Sequence, residues 1–494
     1  MRPYLALLLV VLLAPALTAQ YQGAKPVPDQ LKKGFDSITP EYCKTVLSYL
    51  AGEECQGRRT GTEGYQKAAD YVAARFKEFG LKPVGDDRTY FQGVPFQQAR
   101  VDVKKSKLTV GGSKFVCGED VMFNPADAKV EGSVVFVTGD ADAILEDSKV
   151  LLGKILVVHG ETGGRSGGTT RQARKHRPVA ILTVSDSVGK PLWVSSRGGG
   201  RRRSRRAQQV RGTITLEAAK RLAASCGLKK ALDMPAEGAT HAKATRPKRR
   251  GGGKIVVVRE TAANGVPNVV GLLEGSDSRL KHEMVICGSH LDHLGVGTDG
   301  QVNYGADDDG SGSSGLVALA RAFSTNGKRP RRSILFLAFC GEEMGLVGSR
   351  YYADNPIFPL KDAVCELQMD MIGRNEEFCS SNRTQETGED NVTTTHLIGS
   401  KRISMDLHEL VIAMNEHIGF TFEYDEEDVY TRSDHYSFAQ KGVPISFFFS
   451  GFHKDYHRPT DTVDKINFDK VANTTKLVYL TAFEAANRKK RLRK

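Results

Sequence analysis

None of the eight cysteines in this 494-residue chain is spaced as CxxC, which removes zinc ribbons and thioredoxin-like redox motifs. Beyond the amino terminus there is no second apolar run long enough to span a bilayer, so a polytopic membrane protein is excluded. Aromatic residues are missing from the basic clusters RGGGRRRSRRAQQVR (197–211), RPKRRGGG (246–253) and the tail KKRLRK. Single-strand binding interleaves aromatics with charge, and duplex binding uses a recognisable module; neither is here, so no nucleic-acid partner is expected. The excess of 70 Lys+Arg over 58 Asp+Glu reads instead as solvated loops with weak attraction to anionic polymers. No internal repeat is present.

At this length two or three domains are expected, each able to bury an interior. Residues 1–19, within MRPYLALLLVVLLAPALTAQ, have a basic start, roughly a dozen apolar residues and small residues near Ala19, the pattern of a secretory signal. The expectation is an exported protein, secreted or periplasmic, without stable membrane insertion once the signal is cleaved. In such a compartment Cys43 and Cys55 are close enough in sequence to form a bridge, whereas Cys287 and Cys340 lie in apolar strands as buried thiols. From Gly61 to Gly80, apolar residues at Tyr65, Ala68, Ala69, Val72, Phe76 and Phe79 mark one helical face closed by glycine. Residues 20–98 are assigned to the first part of the main domain. The texture of 99–253 is that of short β-rich runs between glycine-rich and basic loops, a separate insertion. From 254 to 494 strands alternate with helices: KIVVV, EMVICGSH, GLVALARAF, SILFLAFCG, ELQMDMIG, PISFFFSG and a helix from Phe468. This is an α/β fold with a mostly parallel central sheet flanked by helices, and ligand chemistry belongs at the carboxyl ends of its strands.

The acids and histidines of this last region sit at those ends. VICGSHLDH brings His290 past one apolar run, YGADDDGSGSSG brings Asp308 ahead of a helix, and FLAFCGEEMGLVGS sets Glu342 and Glu343 side by side after another. LQMDMIG ends with Asp370, and KDYHRPTDT offers His457. Adjacent carboxylates repel unless a positive group stands beside them or a helix dipole accepts them. Taken together, five loops delivering imidazole and carboxylate without thiolate suit zinc, then manganese or cobalt. At this level His293 competes with His290 and His453 with His457. The acids of GADDDG could also cap the following helix.

GSHLDHLG, GADDDGSG, CGEEMGLVGS, MDMIG and YHRPTDT, in this order, resemble the dinuclear-zinc aminopeptidases, the group that includes aminopeptidase Y and bacterial leucyl aminopeptidase. The resemblance covers residues 256–485, and LAGEECQGRRTGTEGYQKAADYVAARFKEFGLKP resembles the opening helix of that family. More loosely, GKILVVHG, RPVAILTVSD and ITLEAAKRLA resemble the protease-associated domain that some members carry as an insertion. The arginine-rich loop departs from that pattern.

The resemblance implies a zinc exopeptidase fold and two Zn2+ per chain. His290 and Asp370 would hold one ion, Glu343 and His457 the other, and Asp308, at the fourth place of GADD, would bridge them. Asp292 would orient the His290 imidazole, and Glu342 would be the general base for a metal-bridging hydroxide that cleaves amino-terminal residues from peptide or protein substrates. Glutamate carboxypeptidase-like or dipeptidase activity on the same centre is the alternative, followed by a catalytically silent binding or receptor protein. SDH, Ser433 to His435, either lines the pocket or braces it.

Overall fold

The structure, a computed structural model, describes residues 21, 23–138, 151–159, 177–191, 194–195, 209–228, 230, 232, 243–245, 252–297, 299–378, 388, 391–424 and 427–494. The expected signal at 1–19 and most of the two arginine-rich loops lie outside the described residues. Within those, Met1–Val94, Val266–Gly297 and Val302–Lys494 contribute one compact unit, and Pro95–Gly265 with Thr298–Gln301 a second.

In the first unit, α1 (Glu63–Glu78) begins at Thr62, whose side chain accepts a hydrogen bond from the Tyr65 amide. It is followed by Gly80 at φ +72°. Tyr65, Ala68, Ala69, Val72 and Phe76 are buried on one face as the periodicity predicts, while Phe79, expected on the same face, is the C-cap and only half-buried. The central sheet is built from β1 (Arg259–Leu273), β2 (Met284–His290), β3 (Ser333–Phe339), β4 (Ala363–Met369), β5 (Thr394–Ile398), β6 (Thr421–Glu423) and β7 (Ile445–Phe449). Their spatial order is β6-β5-β7-β4-β2-β3-β1. β2 runs parallel to both β3 and β4, β4 to β7, and β5 to β6. β1 pairs antiparallel with β3, and β5 with β7.

Every residue of β2, β3, β4 and β7 is buried, as strands covered on both faces must be. α2 (Gly312–Thr325) and α3 (Phe468–Asn487) pack in this unit, and Phe323 of α2 meets Phe336, Tyr479 and Phe483 at ring-centroid distances of 6.0, 4.9 and 6.3 Å. Each such fully buried aromatic contributes about 1.5–3 kcal/mol of transfer free energy. Because β2, β3, β4 and β7 are parallel, their carboxyl ends share one edge, and the loops leaving that edge meet.

The second unit has its own sheet and core. Ala128–Thr138, Ile155–His159, Ala180–Ser185 and Val210–Thr215 run parallel in sequence, and Leu216–Ser225 is a helix. The KIVVV run differs from expectation. Gly252–Val257 pairs antiparallel with Lys107–Val110 and Ala128–Thr138 in this second sheet, so the boundary drawn at 253/254 cuts a strand. An apolar run identifies a strand but not the sheet it joins. Cys43 and Cys55 are not bridged; both are buried thiols, pushed up by that burial to about 12 and about 11.

Candidate metal centre

His290 is the last residue of β2, Glu342 and Glu343 follow β3 after Gly341, Asp370 follows β4 directly, and His457 lies in the loop after β7. Asp308 comes from the turn before α2. Two glycines shape these approaches. Gly341 has φ +69°, and Gly305 has φ +59°, where a Cβ would stand 2.3 Å from the Asp308 carbonyl oxygen and 2.4 Å from the His293 ring. His457 at φ +58° and Met371 at φ +55° hold the left-handed conformation without being glycine, at a cost of order 1–3 kcal/mol each.

These loops bring the side chains together in two groups sharing Asp308. In the first, His290 Nε2 is 3.3 Å from Asp308 Oδ1 and 3.5 Å from Asp370 Oδ1. In the second, His457 Nε2 is 3.0 Å from Asp308 Oδ2 and 3.3 Å from Glu343 Oε2. His293 enters the second group, its Nδ1 2.8 Å from Glu343 Oε1. His453 lies apart, with Nε2 3.2 Å from Asp307 Oδ2, so His457 is the histidine that faces Asp308 and Glu343.

The charge balance of this cluster is set by its own members. Burial opposes a charge on His290, but Asp370 and Asp308 outweigh it and hold the imidazole well above its usual range. Burial likewise opposes charge on His457, whose hydrogen bonds to Asp308 and Glu343 raise it to about 10. Asp308 is held well below the carboxylate range, burial being overcome by His290 and His457. Glu342 moves the other way: burial pushes it well above that range, against the pull of His290 and aided by Glu343, Asp434 and Asp370. The adjacent glutamates thus differ in kind, Glu343 suited to stay ionised and Glu342 to carry a proton.

A divalent cation fits this arrangement. Both ring nitrogens of His293 and Oε1 of Glu343 are buried with no hydrogen-bond partner, a costly state that a ligated ion would relieve. The donors are imidazole nitrogen and carboxylate oxygen, the set that zinc accepts.

Behind these side chains stands a layer of supports. The His290 ring hydrogen-bonds through Nδ1 to the main-chain carbonyl of Asp292 at 3.0 Å, while the Asp292 carboxylate is 3.8 Å from that nitrogen and accepts the Glu342 amide at 3.0 Å. Asp292 therefore meets His290 through its backbone and orients Glu342 through its side chain. Ser433 Oγ donates to Asp370 Oδ2 at 2.6 Å, so Ser433 of the SDH segment braces Asp370 and also lines the cleft. Asp309 accepts from the amides of His290, Gly312 and Met371, tying three loops together. Asp461 accepts from the amides of Asp307 and Asp308.

Sequence reading did not single out Arg58, Asp309 or Asp461. Asp309 and Asp461 could have been suspected from GADDDG and RPTDT. Arg58 bonds only to carbonyl oxygens among its described hydrogen bonds and has no side-chain partner to betray it. A further cluster, the buried Glu376 and His396 with the half-buried Glu423, shares no residue with these groups.

Beside these side chains opens a cleft. His290, Asp308, Glu342 and Asp370 line one part, and Phe447, Phe449, Phe452 and Tyr456 give it an apolar wall, with Arg432 among the residues around it. Arg432 Nη2 donates to the Tyr456 hydroxyl at 3.2 Å and its guanidinium lies 5.1 Å from the Phe452 ring centroid. Among the described residues, no helix is long and apolar enough to cross a membrane.

A family profile described as peptidase family M28 matches residues 268–482. A probable leucine aminopeptidase of Arthroderma otae is 28% identical over 229 residues, 44% of this chain and 58% of that protein. Aminopeptidase YwaD of Bacillus subtilis is 24% identical over 234 residues, 45% of this chain and 46% of that protein. The chain thus spans about half the length of these curated relatives. Among solved structures, a zinc aminopeptidase from Bacillus subtilis superposes with a TM-score of 0.60 at 18% identity, covering 92% of this chain and 96% of that one. The aminopeptidase of Aneurinibacillus sp. strain AM-1 gives 0.57 at 21% identity, covering 94% and 97%. At these identities the likeness to the two structures is one of fold.

Proposed function

We propose that the chain, whose residues 268–482 match the peptidase family M28 profile, is an exported dizinc aminopeptidase that removes amino-terminal residues from peptides. The observation that carries this reading is the sharing of Asp308 between two ligand groups, His290 with Asp370 and His457 with Glu343. The aminopeptidase names of the relatives support the substrate class. The second unit is proposed to be a protease-associated domain.

His290 and Asp370 would hold one zinc, Glu343 and His457 the other, with Asp308 between them. When bound, the pair would supply Lewis-acid polarisation of the scissile carbonyl and of a water molecule. Glu342 accepts the proton of the attacking water and returns it to the departing amine, so the proton lost at attack is restored at cleavage. Asp292 holds the Glu342 backbone for that transfer. Ser433 keeps one oxygen of Asp370 occupied, leaving the other for the metal. The aromatic wall excludes water from the side chain of the bound residue.

Arg432 favours a second reading, a carboxypeptidase that grips a substrate carboxylate, because a guanidinium at the cleft is suited to that role. Hydrolysis of amino acid nitroanilides, free and N-acetylated, and of amino-blocked peptides ending in an acidic residue, with and without chelator, tests both. Cleavage of the free forms alone, lost with chelator and restored by zinc, is expected. Cleavage confined to amino-blocked peptides with an acidic carboxyl terminus would replace the aminopeptidase by the carboxypeptidase.

A further inference from the structure

We infer that His293 is itself a metal ligand, so that one cation position is closed by four protein side chains, His293, Asp308, Glu343 and His457, while the other keeps room for substrate. This rests on the dizinc reading above and adds a ligand that the five-residue set lacks.

Three observations carry it. His293 is fully buried, and neither ring nitrogen has a hydrogen-bond partner. Its Nδ1 approaches Glu343 Oε1 to 2.8 Å and Asp308 Oδ2 to 3.7 Å, and neither His293 Nδ1 nor Glu343 Oε1 makes an aligned hydrogen bond. Two carboxylates turned to one buried imidazole nitrogen have the geometry of ligands gathered around a common ion. Zinc bonds of about 2.0–2.2 Å in a tetrahedron put neighbouring donor atoms about 3.4 Å apart, and the donor atoms of His293, Asp308 and Glu343 all lie within 4.8 Å of one another. The third observation is the His457 ring, whose centroid is 5.9 Å from that of His293, with its Nε2 against the same two carboxylates.

The consequence is an inequality between the two positions. A zinc with four protein ligands is of the closed, structural kind, whereas three ligands leave a place for a reacting group. His290, Asp308, Asp370 and His457 line the cleft, whereas His293 and Glu343 are not among its lining residues, so the inequality rests on the ligand count and on the burial of His293. Substrate would meet the ion at the His290 position, and the ion at the His293 position would be the more tightly held.

X-ray absorption spectroscopy of the full chain loaded with two zinc ions reads the ligands directly, without a variant. Three imidazoles shared over two ions are expected; two would overturn the inference while leaving the dizinc reading intact. Zinc titration of His293→Ala against a chromophoric chelator gives the second readout. One ion should bind as in the unaltered protein and the other about 100-fold or more weaker, and two ions at unaltered affinity would likewise overturn it. Failure of the unaltered protein to take up zinc would instead remove the dizinc reading itself.

Discussion

Arg58 Nη2 donates to the main-chain carbonyl of Asp308 at 3.2 Å, across 250 residues of sequence. The same guanidinium reaches the carbonyls of Leu50, Leu291, Tyr304 and Gly305. One buried side chain thereby joins the amino-terminal segment, the loop after β2 and the turn that carries the shared carboxylate. Burial disfavours the charge, and the nearby Asp309, Asp308 and Asp461 help retain it.

Arg58→Met is expected to lower the unfolding free energy by about 3 kcal/mol or more, since it strands several buried carbonyls. Urea denaturation measures this. Arg58→Lys should recover only part of the loss, because an ammonium cannot present a planar fork to several acceptors. A destabilisation by Arg58→Met of less than about 1 kcal/mol would show that water or rearrangement satisfies those carbonyls.

Glu342→Gln should retain zinc while turnover falls roughly 10²- to 10⁴-fold, the scale of general acid-base catalysis. Asp308→Ala should instead lose both ions, as the residue stands in both groups. Metal analysis beside steady-state kinetics separates the two. Zinc loss from Glu342→Gln would exchange the roles assigned to Glu342 and Glu343.

Ser433→Ala removes the hydroxyl that donates to Asp370 Oδ2. Zinc affinity should fall about 10- to 100-fold as that carboxylate gains freedom, with little change in unfolding free energy of the metal-free protein. Competition with a chelator of known affinity reads the effect. Unaltered affinity would mean that Asp370 is positioned by its backbone alone.

His435 is fully buried, stacks on Phe447 at 4.6 Å and donates through Nε2 to the Tyr430 carbonyl at 2.8 Å. Burial lowers its pKa to about 3, the Tyr430 contact opposing. The unfolded chain, near 6.5, therefore binds the proton more readily, and stability from this residue is complete above pH 6.5 and lost as pH falls toward 3. By pH 4 the loss should be roughly 3 kcal/mol. Denaturant titrations from pH 7 to 4 should show the gap between the unaltered protein and His435→Gln changing in the variant's favour by this amount. Parallel curves would assign the acid sensitivity to other groups.

Several of these residues were legible without coordinates, and for one reason. A strand buried on both faces must be continuously apolar, so His290 at the end of VICGSH, the glutamates after SILFLAFCG and Asp370 after ELQM stand out where polarity returns. The KIVVV run shows where that signal stops, since its apolar residues serve a different sheet from the one expected.

By itself the sequence determined the α/β class, the helical face of Tyr65 to Phe76, and the acids and histidines available at the strand ends, because periodicity and polarity are local properties. Only the tertiary structure decided which of those groups face each other. Parallel strands bring distant loops to one edge, where His293 falls beside Asp308 and Glu343 while His453 falls against Asp307. Arg58, Asp309 and Asp461 act through main-chain carbonyls and amides, groups that every residue carries, so their role has no signature until the backbone is folded around them.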